Sequence, residues 1–402
     1  MKAHRVLVLT STYPRYTGDA AVPPFVHELT RRLAARFEMH VLAPHAPDIA
    51  TEETMDEVHV HRFRYLPERF ETLAYGGGML PALRRRPWRA MGLPPFLWRE
   101  YSAARRLLGQ GGFDLIHAHW AIPHGFIAAR LKGDRALLCT SHGSDLFALD
   151  TAWVRPFKRH TLRRADAVTV VSEALRDKVR HLAPDVTAEV LPMGVDMAQF
   201  TPSHDRTPRD GLLYVGRLVQ EKGIEELLRA LTDPRLRSRQ IRLRIVGSGP
   251  AEADLRSISK ELGLASQVEF LGALTNTALP GLYRKAEALV FPSRLGPKGE
   301  QEGLGLVPVE AIACGCPVIA SRLPAVAEVV REGKTGFLFT PGDVASLVGC
   351  IARLFADPQA AARAAAGRQT LASRYDWDGI VDGYRRLYTR LLENRRTLTS
   401  HR

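Results

Sequence analysis

The sequence predicts an α/β protein built as two doubly wound units in series, on three observations. Short apolar runs rich in Val, Leu and Ile alternate with longer helical patterns from one end of the chain to the other, as parallel strands covered by helices require. The alternation runs through two complete series. Between them Leu191 to Asp210 is rich in proline and turn formers and lacks apolar periodicity, which marks a linker.

In the first series strands are expected at Val6–Thr10, Met39–Leu42, Val58–Arg62, Leu115–Ala118, Ala136–Ser141 and Ala167–Val171. The helices between them are expected to include Pro24–Arg36, Trp98–Leu108, Gly125–Leu131 and Glu173–Leu182. The second series starts with the strand from Gly211 to Gly216. It continues at Ile241–Val246, Val268–Leu271, Ala288–Phe291, Pro317–Ala320 and Gly336–Phe339. From Tyr375 through Leu392 arginines alternate with apolar residues, giving one amphipathic helix that frays from Leu398. The expected domains are 1–196, 197–374 and a C-terminal helix, 375–402, packing back on the first domain. Ligands in open α/β sheets bind beyond the carboxyl ends of strands, so two such sheets across a hinge would share a cleft.

At 402 residues the chain is long enough for two cores. Val6-Leu7-Val8-Leu9 is too short for a signal-peptide core, and Glu310 interrupts the longest apolar stretch, Leu304 to Ala320. A cytoplasmic protein is expected, peripheral on the inner membrane face if it meets lipid. Cys139, Cys314, Cys316 and Cys350 have neither the framework spacing of disulfides nor a second pair for zinc. They read as reduced, buried thiols.

The net charge of +13 calls for an anionic partner. Between residues 62 and 106 lie Arg62, Arg64, Arg69, Arg84, Arg85, Arg86, Arg89, Arg99, Arg105 and Arg106, interleaved with Met79, Leu80, Leu83, Trp88, Met91, Leu93, Phe96, Leu97 and Trp98. That composition suits an interfacial segment on anionic lipid, and equally a solvated surface over ordinary core contacts. No nucleic-acid-binding motif accompanies the charge.

The chemistry concentrates at strand ends. Glu302-Gly303-Leu304-Gly305-Leu306-Val307-Pro308-Val309-Glu310 sets two carboxylates around a glycine-bearing turn that opens a helix, with Pro308 in the first turn, where its missing N–H removes nothing. Unpaired N–H groups near Gly303 to Leu306 favour an anion such as phosphate. Gly216-Arg217 through Lys222-Gly223 follows a strand directly. Its two cations suit a diphosphate, or pair with Glu221 or Glu225 on the surface. In the first half, His117 and His119 end one strand and Thr140-Ser-His142-Gly-Ser-Asp145 ends the next. Three histidines raise the question of a metal, but His117 and His119 have no third ligand at a fixed spacing, and a core-facing histidine is the commoner arrangement. No metal is expected. The loop after the first strand carries Gly18, able to approach a phosphate.

Three segments, Val215 to Gly223, Leu271 to Tyr283 leading into Val290-Phe-Pro-Ser293, and Glu302 to Ser321, together resemble the retaining glycosyltransferases of family four, and the likeness extends over nearly the whole chain. Leu191 to Asp196 is similar to that family's hinge. The resemblance implies the GT-B architecture, two Rossmann-like domains facing an interdomain cleft. It implies that Arg217 and Lys222 bind the donor diphosphate, Glu310 the ribose, Glu302 the transferred sugar, and that backbone amides from Gly303 to Leu306, with Gly216 and Gly18, complete the donor site. His142 is the catalytic candidate of the first domain, with Arg217, Lys222 and the helix-end amides stabilising the departing diphosphate and Glu302, also a catalytic candidate, holding the transferred sugar. Same-face attack with retention follows from the likeness, and no cofactor or metal is needed. UDP-sugars are slightly favoured over GDP-sugars as donors.

Two departures stand out: Gly18-Asp19 replaces a pair of adjacent glycines, and Arg294 to Gln301 is longer and more charged than the usual approach to the first glutamate. The expected activity is hexose transfer to a saccharide or lipid-linked acceptor in envelope or exopolysaccharide synthesis. The alternatives are transfer to a small soluble acceptor such as a sugar phosphate, and a noncatalytic nucleotide-sugar binding subunit.

Overall fold

The computed structural model describes residues 4–75, 79, 82–83, 86–148, 150–203, 208–296 and 299–400, with side chains as far as 395. Arg84, Arg85, Leu80, Arg402 and part of the linker and of the Arg294 to Gln301 segment lie outside the described residues. The chain divides into two compact units, Met1–Met193 with Ile380–Arg402, and Gly194–Gly379.

Unit 1 contains β1 (Arg5–Leu9), β2 (Glu38–Pro44), β3 (Glu52–Met55), β4 (Val58–Phe63), β5 (Phe113–His119), β6 (Ala136–Ser141), β7 (Ala167–Val170) and β8 (Ala188–Val190). They form one sheet in the order β3-β4-β2-β1-β5-β6-β7-β8, parallel except for β3. Buried on both faces, β1 and β6 carry the apolar runs Val6–Leu9 and Ala136–Cys139, which is why they were legible. β3 was not foreseen: Glu52-Glu53-Thr54-Met55 is a half-exposed edge strand of weak β-propensity. β8, three residues with one exposed glutamate, carries no pattern to detect.

The helices of this unit are α1 (Phe25–Leu33), α2 (Leu93–Gly109), α3 (Phe126–Leu131), α4 (Ser144–Phe147), α5 (Arg155–Arg164) and α6 (Glu173–Leu182). α2 begins five residues before the expected Trp98, because Pro94 and Pro95 occupy its first turn, where no N–H is required. Leu7, Leu9, Leu42, Phe63, Phe96 and Ile116 share one core cluster.

Unit 2 contains β9 (Leu212–Val215), β10 (Leu243–Val246), β11 (Val268–Gly272), β12 (Ala288–Phe291), β13 (Val318–Ser321) and β14 (Gly336–Phe339), all parallel in the order β11-β10-β9-β12-β13-β14. Its helices are α7 (Ile224–Leu231), α8 (Pro234–Arg237), α9 (Glu252–Glu261), α10 (Leu279–Lys285), α11 (Leu306–Ala313), α12 (Pro324–Ala327), α13 (Val344–Phe355) and α14 (Ala360–Tyr375). α7 buries Ile224, Leu227, Leu228 and Leu231, the i, i+3, i+4, i+7 stripe of a sheet-covering helix. The winding reverses between β9 and β12. Loops leaving the carboxyl ends of these two neighbouring strands therefore flank the switch point, where open α/β sheets take their ligands.

The last helix, α15 (Trp377–Ser400), belongs to unit 1 from Ile380 onward. There the buried Tyr388 hydroxyl lies 2.7 Å from His117 Nδ1, and its ring packs on Phe37 with centroids 5.2 Å apart.

Candidate functional site

In unit 2 the loop after β9 turns sharply at Gly216, and Leu218 N–H donates to Ser248 of the loop after β10 at 3.0 Å. The two loops touch along the backbone because Gly247, at φ +136°, has no side chain: a Cβ there would lie 1.9 Å from the Gly216 oxygen. Arg217 projects from this loop, exposed. A short turn, Gln220–Lys222, then ends at Gly223, where a Cβ would come within 2.0 Å of the Pro292 oxygen. That close approach presses Lys222 against the end of β12, with Nζ 5.2 Å from the Phe291 ring centroid.

Lys222 pairs with Glu302, not with Glu221 or Glu225; the same Glu302 oxygen accepts from Ser293 Oγ at 2.9 Å. Glu225 instead meets Arg229 and Arg294. Burial, the largest single influence, acts to raise the Glu302 carboxyl, but the Lys222 charge and hydrogen bond, the Ser293 hydrogen bond and the Arg217 charge together outweigh it, so the group is held below the usual carboxylate range. Gly305, in the left-handed region, leads into α11, which sets Glu310 on its second turn. Glu310 Oε2 accepts from the Tyr283 hydroxyl at 2.8 Å, and burial pushes its carboxyl up to about 7. The two glutamates are thus prepared differently. One is held ionised by a cation, while the other stands near its midpoint at neutral pH.

The segment before Glu302 is tied back rather than loose. The Arg294 guanidinium pairs with Glu226, its N–H donates to the Glu221 oxygen at 2.8 Å, and Gly296 N–H closes on Glu300 at 2.7 Å. Pro297 and Lys298 lie outside the described residues.

In unit 1, Asp145 joins the loops after β5 and β6: its carboxylate accepts from Ala121 N–H at 2.6 Å, Ser141 Oγ at 2.8 Å and Gly143 N–H at 3.2 Å. The turn so fixed places the His142 ring among Phe25, Trp120 and His119, with centroids 4.9, 4.8 and 5.1 Å away. His142 Nε2 lies 2.8 Å from Nδ1 of the fully buried His119. Burial holds both rings well below the usual imidazole range, so each is neutral, and one donates to the other.

Gly18 takes a left-handed conformation with nothing within 4 Å of a would-be Cβ. Beside it Asp19 accepts from the Arg15 guanidinium at 2.7 and 2.9 Å and from Ala21 N–H at 3.1 Å. The residue standing in place of a second glycine therefore closes its own loop.

Of the expected residues, Lys222 and Glu302 come together directly. Glu310 is joined to Tyr283, His142 to His119, and Gly18 to no other expected site residue among those described. Tyr283, Ser293, His119 and Asp145 were not singled out in advance as site residues. Ser293 carried one signal, a hydroxyl just past the carboxyl end of β12.

Among the described residues, Glu38, His40 and His59 place possible ligand atoms within 4.8 Å of one another. Arg5 Nε donates to Glu38 Oε1 at 2.8 Å, and another of its nitrogens lies 3.2 Å from His40 Nε2. A guanidinium bonded to two of the three does not fit a cation site. The cluster also sits near the amino end of β2, away from the loops described above.

Residues 199–370 match the family described as Glycosyl transferases group 1, and residues 22–199 match Glycosyltransferase Family 4. The chain is 33% identical to the GDP-mannose-dependent alpha-(1-6)-phosphatidylinositol monomannoside mannosyltransferase of Mycolicibacterium smegmatis over 69% of this chain and 76% of that protein. It is 30% identical to the glycogen synthase of Mycobacterium tuberculosis over 96% of this chain and 94% of that one. Among solved structures it is similar to the sucrose-phosphate synthase of Thermosynechococcus elongatus, with a TM-score of 0.76 at 24% identity, covering 97% and 100% of the two chains.

Proposed function

The chain belongs to the family-four glycosyltransferases of GT-B fold, and we propose that it transfers a hexose from a nucleoside-diphosphate sugar, with retention, to a lipid-linked or saccharide acceptor of envelope polysaccharide. The reading rests above all on the pairing of Lys222 with Glu302 at the β9–β12 switch point. A diphosphate entering there meets the Lys222 ammonium, the exposed Arg217 and the N-terminus of α11, all of which stabilise negative charge developing on the leaving group. Glu302 then accepts from sugar hydroxyls and Glu310 from the ribose, the Tyr283 hydroxyl keeping the Glu310 carboxyl oriented.

Unit 1 is assigned the acceptor. A neutral His142 can accept or donate a hydrogen bond without adding charge, which suits an acceptor hydroxyl. No carboxylate nucleophile is called for: the departing diphosphate oxygen removes the acceptor proton on the face it leaves, and the cations of unit 2 take the place of a metal. The lipid-linked acceptor is favoured by the similarity to the phosphatidylinositol monomannoside mannosyltransferase of Mycolicibacterium smegmatis.

Thermal unfolding of the purified protein with GDP-mannose, UDP-glucose, ADP-glucose and UDP-galactose tests the donor site, since a ligand that binds only the folded chain raises its midpoint. One of these should stabilise the wild type and fail to stabilise Glu310→Ala. Stabilisation by none would overturn the assignment. Slow donor hydrolysis, unaffected by EDTA, separates an enzyme from a noncatalytic binding subunit.

A further inference from the structure

We propose that the carboxyl edge of the unit 1 sheet is a docking surface for an anionic lipid bilayer, with Trp88, Met91 and Trp98 entering the interface and the start of α5 extending it. The large apolar side chains most exposed in the described chain are distributed unevenly. Trp88, Met91 and Trp98 are 58, 80 and 60% exposed on the segment between β4 and β5, and Trp153 and Phe157 are 87 and 48% exposed between β6 and β7. β4, β5, β6 and β7 run parallel, so both segments leave the sheet at one edge. α3 packs between α2 and α5, and its Phe126 ring meets Phe157 with centroids 5.2 Å apart. The two exposed groups are therefore carried by neighbouring helices on one face.

Charge selects the occupant. From residue 72 to 113 the chain has seven arginines and one acid, Glu100, which is 1% exposed and bonded to His124 at 2.6 Å. Residues 151–165 contain no acid at all. Arg99 lies over the Trp98 ring at 4.9 Å and Arg89 over Trp88 at 5.8 Å, so each protruding indole carries a guanidinium at headgroup level. Isolated Trp and Met tips surrounded by arginine fit the boundary between acyl chains and anionic headgroups. Not every arginine of the segment contributes. Arg62, expected to face lipid, is buried and bonded to Glu53 and the Pro14 oxygen, and Arg64 pairs with Glu68.

Flotation of the full chain with phosphatidylcholine vesicles, with and without phosphatidylglycerol, tests the surface. Binding is expected only with phosphatidylglycerol and should weaken as salt rises. A Trp88→Ser/Trp98→Ser pair should lose at least about tenfold in affinity, and Arg86→Gln/Arg99→Gln roughly fivefold per arginine with a shallower salt dependence. Unchanged unfolding midpoints for both pairs would show that folding is intact. Absence of binding to the anionic vesicles, or binding that neither pair weakens, overturns the proposal. So does a concentration-dependent dimer abolished by Trp98→Ser, which would assign the surface to a second copy.

Discussion

Lys222 and Glu302, 80 positions apart in the chain, form an ion pair whose carboxylate also takes a hydrogen bond from Ser293. Their side chains are only 14 and 20% exposed, so removing one partner strands a charge in a poorly hydrated place. Lys222→Met and Glu302→Gln should each cost about 2 kcal/mol of stability and about 100-fold in turnover. Urea unfolding of the double variant should show a loss smaller than the sum by about 1 kcal/mol or more; strict additivity would mean the pair is not formed in solution.

The Glu310 carboxyl titrates near 4.5 when unfolded and at about 7 in the folded chain. Because the unfolded state releases the proton first, stability falls as pH rises between those values, and above pH 7 the full penalty of about 3 kcal/mol applies. Glu310→Gln removes it, so the stability advantage of the variant should grow from pH 5 to pH 8. Nucleotide affinity should move the other way in the wild type, rising up to about tenfold from pH 6 to 8, since ribose hydroxyls donate to the ionised form. A pH-independent affinity would remove Glu310 from the ribose site.

His142, neutral and joined to buried His119, should matter for turnover rather than for donor affinity. His142→Ala is expected to lower kcat about 100-fold with the donor Kd within about twofold. Burial keeps His142 from protonating near neutrality, so no inflection from it should appear in the activity profile above pH 5. Calorimetric donor titration and initial rates with acceptor check both; an equal loss in Kd would make His142 part of the donor site.

Gly247 and Gly263 both have positive φ, but only Gly247 would set a Cβ against backbone. Gly263→Ala should cost about 1 kcal/mol, while Gly247→Ala should cost at least about 2 kcal/mol and weaken nucleotide binding by parting the loops after β9 and β10. Comparable urea midpoints for the two variants would show that the loop contact is not required.

The two sheets were legible in the sequence largely because central strands such as β9, β12 and β13 are buried on both faces and so appear as short apolar runs. The turn at Glu302 to Glu310 was legible because a left-handed glycine and a proline in the first helical turn leave local marks. Edge strand β3 left none, since a half-exposed strand of Glu and Thr looks like a loop. Which residues meet was decided only in three dimensions. The sheet order sets β9 beside β12, the absence of a side chain at Gly223 lets Lys222 reach Glu302, and the packing of α10 on α11 brings Tyr283 to Glu310. The protonation of the two glutamates followed from those meetings. Residue type supplies a carboxylate, but the charge it carries at neutral pH depends on burial and on neighbours that only the folded chain assembles.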